Sequence, residues 1–305
     1  MQEHRPDADA TDDATDDAID GIDSEPSGTS FRGEGLEIGY SNADGLVIDG
    51  ESLAAAPGQV TALVGPNGSG KSTLLKGLAD QLAPESGTVH LDGEDVQAMD
   101  TKPLARKLGL LTQENTSPES ITVEKLVEHG RYPHRGFFEG MGSEDVAAIE
   151  RAIDLAGIEH LRERQVGSLS GGQKQLVWIA MILAQETDVL LLDEPTTFLD
   201  LHHQLEVMEI VETLRDESDM TIVVVLHDLQ QAARHADYML ALSDGEIEAR
   251  GPPEDVVTEG LLAEVFDIEA SVTVAEHGPQ ITPLRPLHDD EREGATDAAG
   301  GTEAE

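Results

Sequence analysis

The run VTALVGPNGSGKSTLL, residues 60–75, constrains the fold of this chain more than any other stretch. Val60 to Val64 read as a short buried strand, Gly65, Gly68 and Gly70 space a loop, and Lys71-Ser72-Thr73 open an apolar helix. A loop built as Gly65, Pro66, Asn67, Gly68, Ser69, Gly70 can wrap closely enough round phosphate oxygens for its backbone N–H groups to point inward. The positive end of the following helix stands behind them. In such a loop Lys71 is expected to reach the β- and γ-phosphates, Ser72 to offer its hydroxyl to Mg²⁺, and Thr73 to join them in holding the nucleotide. A strand followed at once by a helix calls for a crossover connection, and hence for a mainly parallel sheet.

The remainder of the chain agrees with that demand. Short apolar runs at Leu108 to Leu111, Val189 to Leu192 and Ile222 to Leu226 alternate with helical periods such as Leu205 to Leu214, the pattern of an α/β fold with a sheet covered on both faces. Hairpin-like runs flank it. Early in the chain they are Leu36 to Ile38, Leu46 to Ile48, and Val89 to Asp92 with Gly93; late, they are Tyr238 to Leu242 and Glu246 to Ala249 around Asp244-Gly245. Strand signals vanish between Thr122 and Ala156, where a helical subdomain is expected within about 114–185, with Ser143 as the N-cap of one helix. Residues 1–30 and 288–305 are acidic, poor in large apolar side chains and expected to be disordered, leaving a folded unit at 31–287.

Composition narrows the function classes. No apolar stretch approaches the roughly 20 residues needed to cross a bilayer. The acidic start does not resemble a secretory signal or a transit peptide, so the cytosolic side is expected. Without cysteine there is no disulfide, thiolate nucleophile or Cys-ligated metal site. The net charge is −43, and residues 31–287 alone hold 45 Asp and Glu against 17 Lys and Arg. Such a surface repels nucleic-acid phosphates and suits strong brine, where charges are screened within about 3 Å. A halophile's protein, with no nucleic-acid partner, is expected.

At the end of the run Val189 to Leu192 stand Asp193 and Glu194, two carboxylates at the carboxyl end of a buried strand, where α/β sheets place their ligands. Asp193 suits a Mg²⁺ shell and Glu194 suits polarising an attacking water. Some 20 residues earlier lies SLSGGQKQ, 168–175, before an apolar helix. Ser170 can cap that helix, and Gly171-Gly172, followed by Gln173, can let a phosphate approach its N–H groups.

With the phosphate loop about 100 residues upstream, SLSGGQKQ resembles the signature of the ATP-binding cassette family, over nearly all of 31–287. The resemblance implies a P-loop NTPase fold with a RecA-like parallel core, an antiparallel β subdomain and an inserted helical subdomain. It implies ATP and Mg²⁺ as cofactors. It also implies a head-to-tail homodimer in which each signature loop closes over the nucleotide of its partner. Tyr40 resembles the aromatic that stacks on adenine, and Gln113 the glutamine that touches Mg²⁺ and the attacking water. Asp200 resembles the aspartate that communicates across the dimer, and His227 the switch histidine at the γ-phosphate.

The segments ITVEKLVEHGRYPHRGFF, 121–138, and EPTTFLDLHHQ, 194–204, resemble cassettes that drive import of iron(III)-siderophores, haem or cobalamin. That resemblance implies transmembrane permease subunits, an extracellular substrate-binding protein acting through the permease, and a place on the cytoplasmic face of the membrane. Arg131, Tyr132, Pro133 and His134 would meet the permease. A soluble, non-transport cassette is the alternative. Two departures are visible: Leu176 stands where relatives often carry Arg, and His202-His203 is a pair with no evident third metal ligand.

Overall fold

A computed structural model describes residues 30–40, 45–113, 115–136 and 140–288. The expected tails, apart from Ser30 and His288, lie outside the described residues, as do Phe137 and Phe138. In chain order the strands are β1 (Phe31–Gly39), β2 (Leu46–Ala55), β3 (Val60–Val64), β4 (Ser86–Leu91), β5 (Glu94–Asp95), β6 (Leu108–Leu111), β7 (Val189–Asp193), β8 (Thr221–Val225), β9 (Tyr238–Ser243), β10 (Glu246–Gly251), β11 (Ile268–Ala275) and β12 (Gly278–Pro286). The helices are α1 (Lys71–Leu78), α2 (Thr101–Lys107), α3 (Val123–Val127), α4 (Ser143–Leu155), α5 (Gly171–Leu183), α6 (Leu201–Glu217), α7 (Leu229–His235), α8 (Pro253–Val256) and α9 (Glu259–Glu264).

The central sheet has the order β10-β9-β3-β8-β7-β6. Its strands are parallel except β10, which returns antiparallel to β9 across Asp244-Gly245. Both turn residues have positive φ, 49° and 92°, as a tight primed turn requires. The late hairpin is therefore not a separate flanking unit, as its sequence suggested, because β9 pairs parallel with β3 and extends the core sheet. The early runs form a second, antiparallel sheet of order β2-β1-β4-β5, with Ile38 opposite Ile48.

Every residue of β3, β7 and β8 is buried, which is why these runs read as continuous Val, Ile and Leu rather than as an alternation. The period of two survives in three dimensions. Ala62, Leu190, Leu192, Ile222 and Val224 feed a core shared with α4, α5 and α6, whereas Leu63, Val189, Leu191, Val223 and Val225 feed a second core under α1 and the antiparallel sheet. Each fully buried Leu, Ile or Val contributes about 1.5–3 kcal/mol. Leu176, at the position often taken by Arg, is buried in the first of these cores, so an apolar contact stands in place of an ion pair.

Between β6 and β7 the chain is helical, as its sequence predicts. The N-cap of α4 is Gly142 and not Ser143: the carboxylate of Asp145 accepts the Gly142 N–H at 2.9 Å, and Ser143 is the first helical residue. Residues 251–287, which showed no element in the sequence, hold α8, α9 and the β11–β12 hairpin. Gln230 of α7 grips that hairpin, donating to the Pro279 carbonyl and accepting the Ile281 N–H, both at 2.9 Å.

Candidate functional site

Four neighbouring parallel strands, β3, β8, β7 and β6, end on one edge of the sheet, and each delivers a residue singled out by the sequence. The glycine loop leaves β3, Gln113 follows β6, Asp193 closes β7 with Glu194 after it, and His227 follows β8. Parallel strands lie about 4.8 Å apart, so residues scattered over more than 150 positions come within hydrogen-bonding reach.

The loop from Gly65 to Gly70 folds tightly. Gly65 has φ 147°, and a Cβ there would stand 2.1 Å from the Leu242 carbonyl oxygen of β9, so no other residue fits. Ser69 and Gly70 are buried, whereas Asn67 and Gly68 form the exposed tip. Lys71 is buried. Its ammonium donates to the carbonyls of Gly65 and Pro66 at 3.0 and 2.7 Å and to Ser69 Oγ at 3.3 Å. Burial pulls the Lys71 pKa below its ordinary value, and the negative charges of Glu194 and Asp193 pull the other way.

Ser72 Oγ donates to Asp193 Oδ1 at 2.7 Å, joining the first turn of α1 to the end of β7. Asp193 is buried, and that burial raises its pKa, the Ser72 bond opposing the rise. Glu194 occupies the left-handed region at φ 53°, an uncommon conformation for a residue with a side chain. Its carboxylate is held by three partners: Gln113 Nε2 donates to Oε2 at 2.6 Å, Thr197 Oγ1 donates to Oε2 at 3.1 Å, and His227 Nε2 lies 2.5 Å from Oε1. Gln113, Glu194 and His227 are thus brought together as a unit. Thr197 was not among the residues singled out by the sequence. The only signal was its place three residues after Glu194, a spacing at which a hydroxyl can reach back to the preceding turn.

Behind this cluster Asp228 caps α7 through the N–H groups of Gln230 and Gln231, and Gln231 meets Thr196 Oγ1 at 2.9 Å. α7 is therefore fastened at one end to the Glu194 loop and along its flank to the β11–β12 hairpin. Tyr40 directly follows β1. Its hydroxyl is 3.2 Å from Thr73 Oγ1, so the ring stands beside the phosphate loop. Tyr40 is 37% exposed.

Two candidate residues begin helices elsewhere. Ser170 caps α5 in a reciprocal box: its Oγ accepts the Gln173 N–H and Gln173 Oε1 accepts the Ser170 N–H, both at 3.2 Å. Beside them Gly171 faces open space, whereas Gly172 does not, being covered by the His203 ring. Asp200 caps α6 by accepting the His203 N–H at 3.0 Å. That bond and the His203 side chain hold the Asp200 carboxyl below its ordinary pKa. No group of three or more His, Asp and Glu side chains able to hold a metal ion occurs among the described residues.

The segment expected to face a permease divides in two. Arg131 points inward: 4% exposed, it donates to Asp145 Oδ1 at 3.0 Å, to the Ala184 carbonyl at 2.9 Å and to Glu186 Oε2 at 2.9 Å. It fastens the start of α4 to the end of α5 and is not a surface contact, which corrects the sequence expectation. His134 also turns inward, its Nε2 lying 2.7 Å from the Gln185 carbonyl oxygen. Tyr132 is 57% exposed and stacks on His129 with ring centres 4.7 Å apart.

Residues 48–197 match the ABC transporter family. The chain is 44% identical to the ferric enterobactin transport ATP-binding protein FepC of Escherichia coli, over 79% of this chain and 89% of that one. It is 42% identical to the iron(3+)-hydroxamate import ATP-binding protein FhuC of Bacillus subtilis, over 80% of this chain and 90% of that one. Among solved structures, the bacterial ABC transporter cassette MJ0796, determined as a dimer, superposes with a TM-score of 0.65 at 27% identity, covering 73% of this chain and 98% of that one.

Proposed function

The chain belongs to the ABC transporter family, and from that premise we propose that it is the ATP-hydrolysing subunit of a membrane importer for iron(III)-siderophore complexes. The observation that carries the chemistry is the Glu194 carboxylate, held by Gln113, His227 and Thr197 one residue beyond the Ser72–Asp193 pair. A general base must be fixed near the water it polarises, and three partners fix this one.

The residues suit a nucleoside triphosphate with Mg²⁺. Ser72 and Asp193 offer two hard oxygens 2.7 Å apart, and Gln113 a third on a neighbouring strand, the donor set Mg²⁺ prefers. A divalent cation there would compensate the buried charge of Asp193 and the developing charge on the phosphates. Lys71 and the N–H groups of the loop Gly65–Thr73 cradle the β- and γ-phosphates, and Tyr40 stacks on the adenine, a contact worth about 1–3 kcal/mol by analogy with base stacking. His227 senses the γ-phosphate while holding Glu194. Phosphoryl transfer needs positioning and charge stabilisation more than covalent chemistry, and these residues supply both.

Ser170, Gly171, Gly172 and Gln173 open α5 with an anion-binding end in a chain that already has a phosphate loop. They serve the nucleotide of a second copy in a head-to-tail homodimer, with Asp200 communicating across it. The likeness to a dimeric cassette supports that assembly. The permease is met through the exposed Tyr132 and its surroundings, on the cytoplasmic face of the membrane, and an external binding protein delivers cargo to the permease. FepC is named for ferric enterobactin transport and FhuC for iron(3+)-hydroxamate import, which favours an iron chelate over cobalamin or haem and transport over a soluble role.

The test is phosphate release with and without Mg²⁺, beside binding of a fluorescent ATP analogue. Glu194→Gln is expected to lower turnover at least a hundredfold while analogue affinity stays within twofold. Undiminished hydrolysis would remove Glu194 from its role.

A further inference from the structure

α5 and α6 begin on loops far apart in the sequence, and one side chain ties the two beginnings together. His203, in the first turn of α6, lays its imidazole over Gly172. A Cβ built on Gly172 would stand 2.3 Å from Cδ2, 2.4 Å from Cγ and 2.7 Å from Nδ1 of that ring. Gly172 does not have a positive φ, so the ring, and not the backbone, excludes a side chain at this position. The same ring reaches the other loop: Nδ1 lies 2.9 Å from Asp200 Oδ1, the oxygen that also accepts the His203 backbone N–H. A carboxylate only accepts hydrogen bonds, so Nδ1 carries the proton.

Exposure sets His203 apart from its neighbours. Its side chain is 21% exposed, against 78% for His202 and 68% for Asp200. The next residue completes the clamp, Gln204 Nε2 donating to the Leu199 carbonyl at 3.1 Å. Each helix also has its own cap, Ser170 with Gln173 for α5 and Asp200 for α6. Loss of the ring would therefore leave both helices capped and packed on their shared core, and remove the contact between their first turns.

We infer that His203 is a positioning residue that locks the amino end of α5, bearing Ser170 and Gly171, to the loop bearing Asp200, so that both meet a second copy of this chain as one rigid surface. This rests on the homodimer proposed above. It accounts for the closed surface at Gly172, where the ring leaves no room for a Cβ, beside Gly171, which faces open space.

The experiment uses the full chain with Glu194→Gln as parent, at high salt, and reads ATP-driven dimerisation by sedimentation beside analogue binding to the monomer. His203→Ala is expected to raise the ATP concentration for half-dimerisation at least tenfold with analogue affinity within twofold of the parent. His203→Phe, which keeps a ring over Gly172 and gives up only the bond to Asp200 within the start of α6, is expected to recover to within threefold. Gly172→Ala is expected to cost tenfold or more in the parent and at least threefold less than that when added to His203→Ala, because the ring it collides with has gone. If His203→Ala melts several degrees early, His203→Asn, which keeps a donor to Asp200 and removes the ring from Gly172, takes its place with the same expected loss. Dimerisation equal to the parent, or Gly172→Ala equally harmful with and without the ring, would overturn the inference alone. A parent that stays monomeric with ATP would overturn the homodimer and the inference with it.

Discussion

Glu194 combines an unusual backbone with a crowded carboxylate: φ is 53°, and Gln113, His227 and Thr197 converge on its two oxygens. A carboxylate so held loses little freedom when water must be aligned. Thr197→Val keeps the shape and removes one donor, and is expected to lower turnover about tenfold without weakening nucleotide binding, since hydrogen bonds to charged groups are worth about 1.5–3 kcal/mol. Steady-state kinetics beside analogue binding checks this; loss of binding with unchanged turnover would contradict it. Glu194 was legible because it follows an apolar run that had to be a core strand, and parallel strands carry their chemistry at their carboxyl ends, whereas Gln113 and His227 were singled out by the family resemblance. Thr197 was not, because a threonine in a turn has many local uses and its partner is fixed only by the fold. The Gly172–His203 contact is wholly tertiary and left no local pattern to read.

At the scale of elements, the segment between β6 and β7 is held by a charged staple as well as by its apolar face. Arg131 joins Asp145 of α4 to the end of α5, and Glu186 also takes Arg151. Arg131→Ala would leave Asp145 and the Ala184 carbonyl without this donor, and is expected to destabilise the protein by about 3–5 kcal/mol, as breaking a buried pair does. Tyr132→Ala should leave stability within about 0.5 kcal/mol, because the ring is exposed. Chemical denaturation separates the two.

The same staple sets an acid dependence. The Gly142 N–H, and after it Arg131, hold the Asp145 carboxyl below its usual 3.8. Its contribution to stability is therefore present above that value and lost as pH falls through the lower folded one. Unfolding followed between pH 5 and pH 2 should fall less steeply for Asp145→Asn than for the native chain; equal slopes would remove Asp145 from the account. Helical period made α4 legible, but its cap was misread, since a serine at the right spacing looks like an N-cap until the backbone shows which residue lies outside the helix. The inward turn of Arg131 was equally hidden, because arginine next to tyrosine in a polar stretch reads as surface.

For the whole molecule, fold and catalytic edge follow from one architecture. The strand order places the phosphate loop, Glu194, Gln113 and His227 on one rim, while alternate residues of the same strands fill two cores. No helix among the described residues is long and apolar enough to cross a membrane. The net charge of −43 makes the fold itself sensitive to salt. Self-repulsion between so many carboxylates is relieved when salt shortens the Debye length from about 10 Å at 0.1 M to about 3 Å at 1 M. The melting temperature is expected to rise steadily over that range, and a flat or falling profile would contradict adaptation to brine. Parallel core and hairpins were readable from apolar runs and turn residues, whereas the C-terminal hairpin was not, since its strands are mostly exposed and carry no strong period. The most direct measurement takes this chain reconstituted with its copurifying permease in vesicles at high salt, and follows iron(III)-siderophore uptake with ATP. ATP-dependent accumulation that Glu194→Gln abolishes is the predicted result; uptake indifferent to ATP or to Glu194, or copurification with a soluble partner alone, would contradict it.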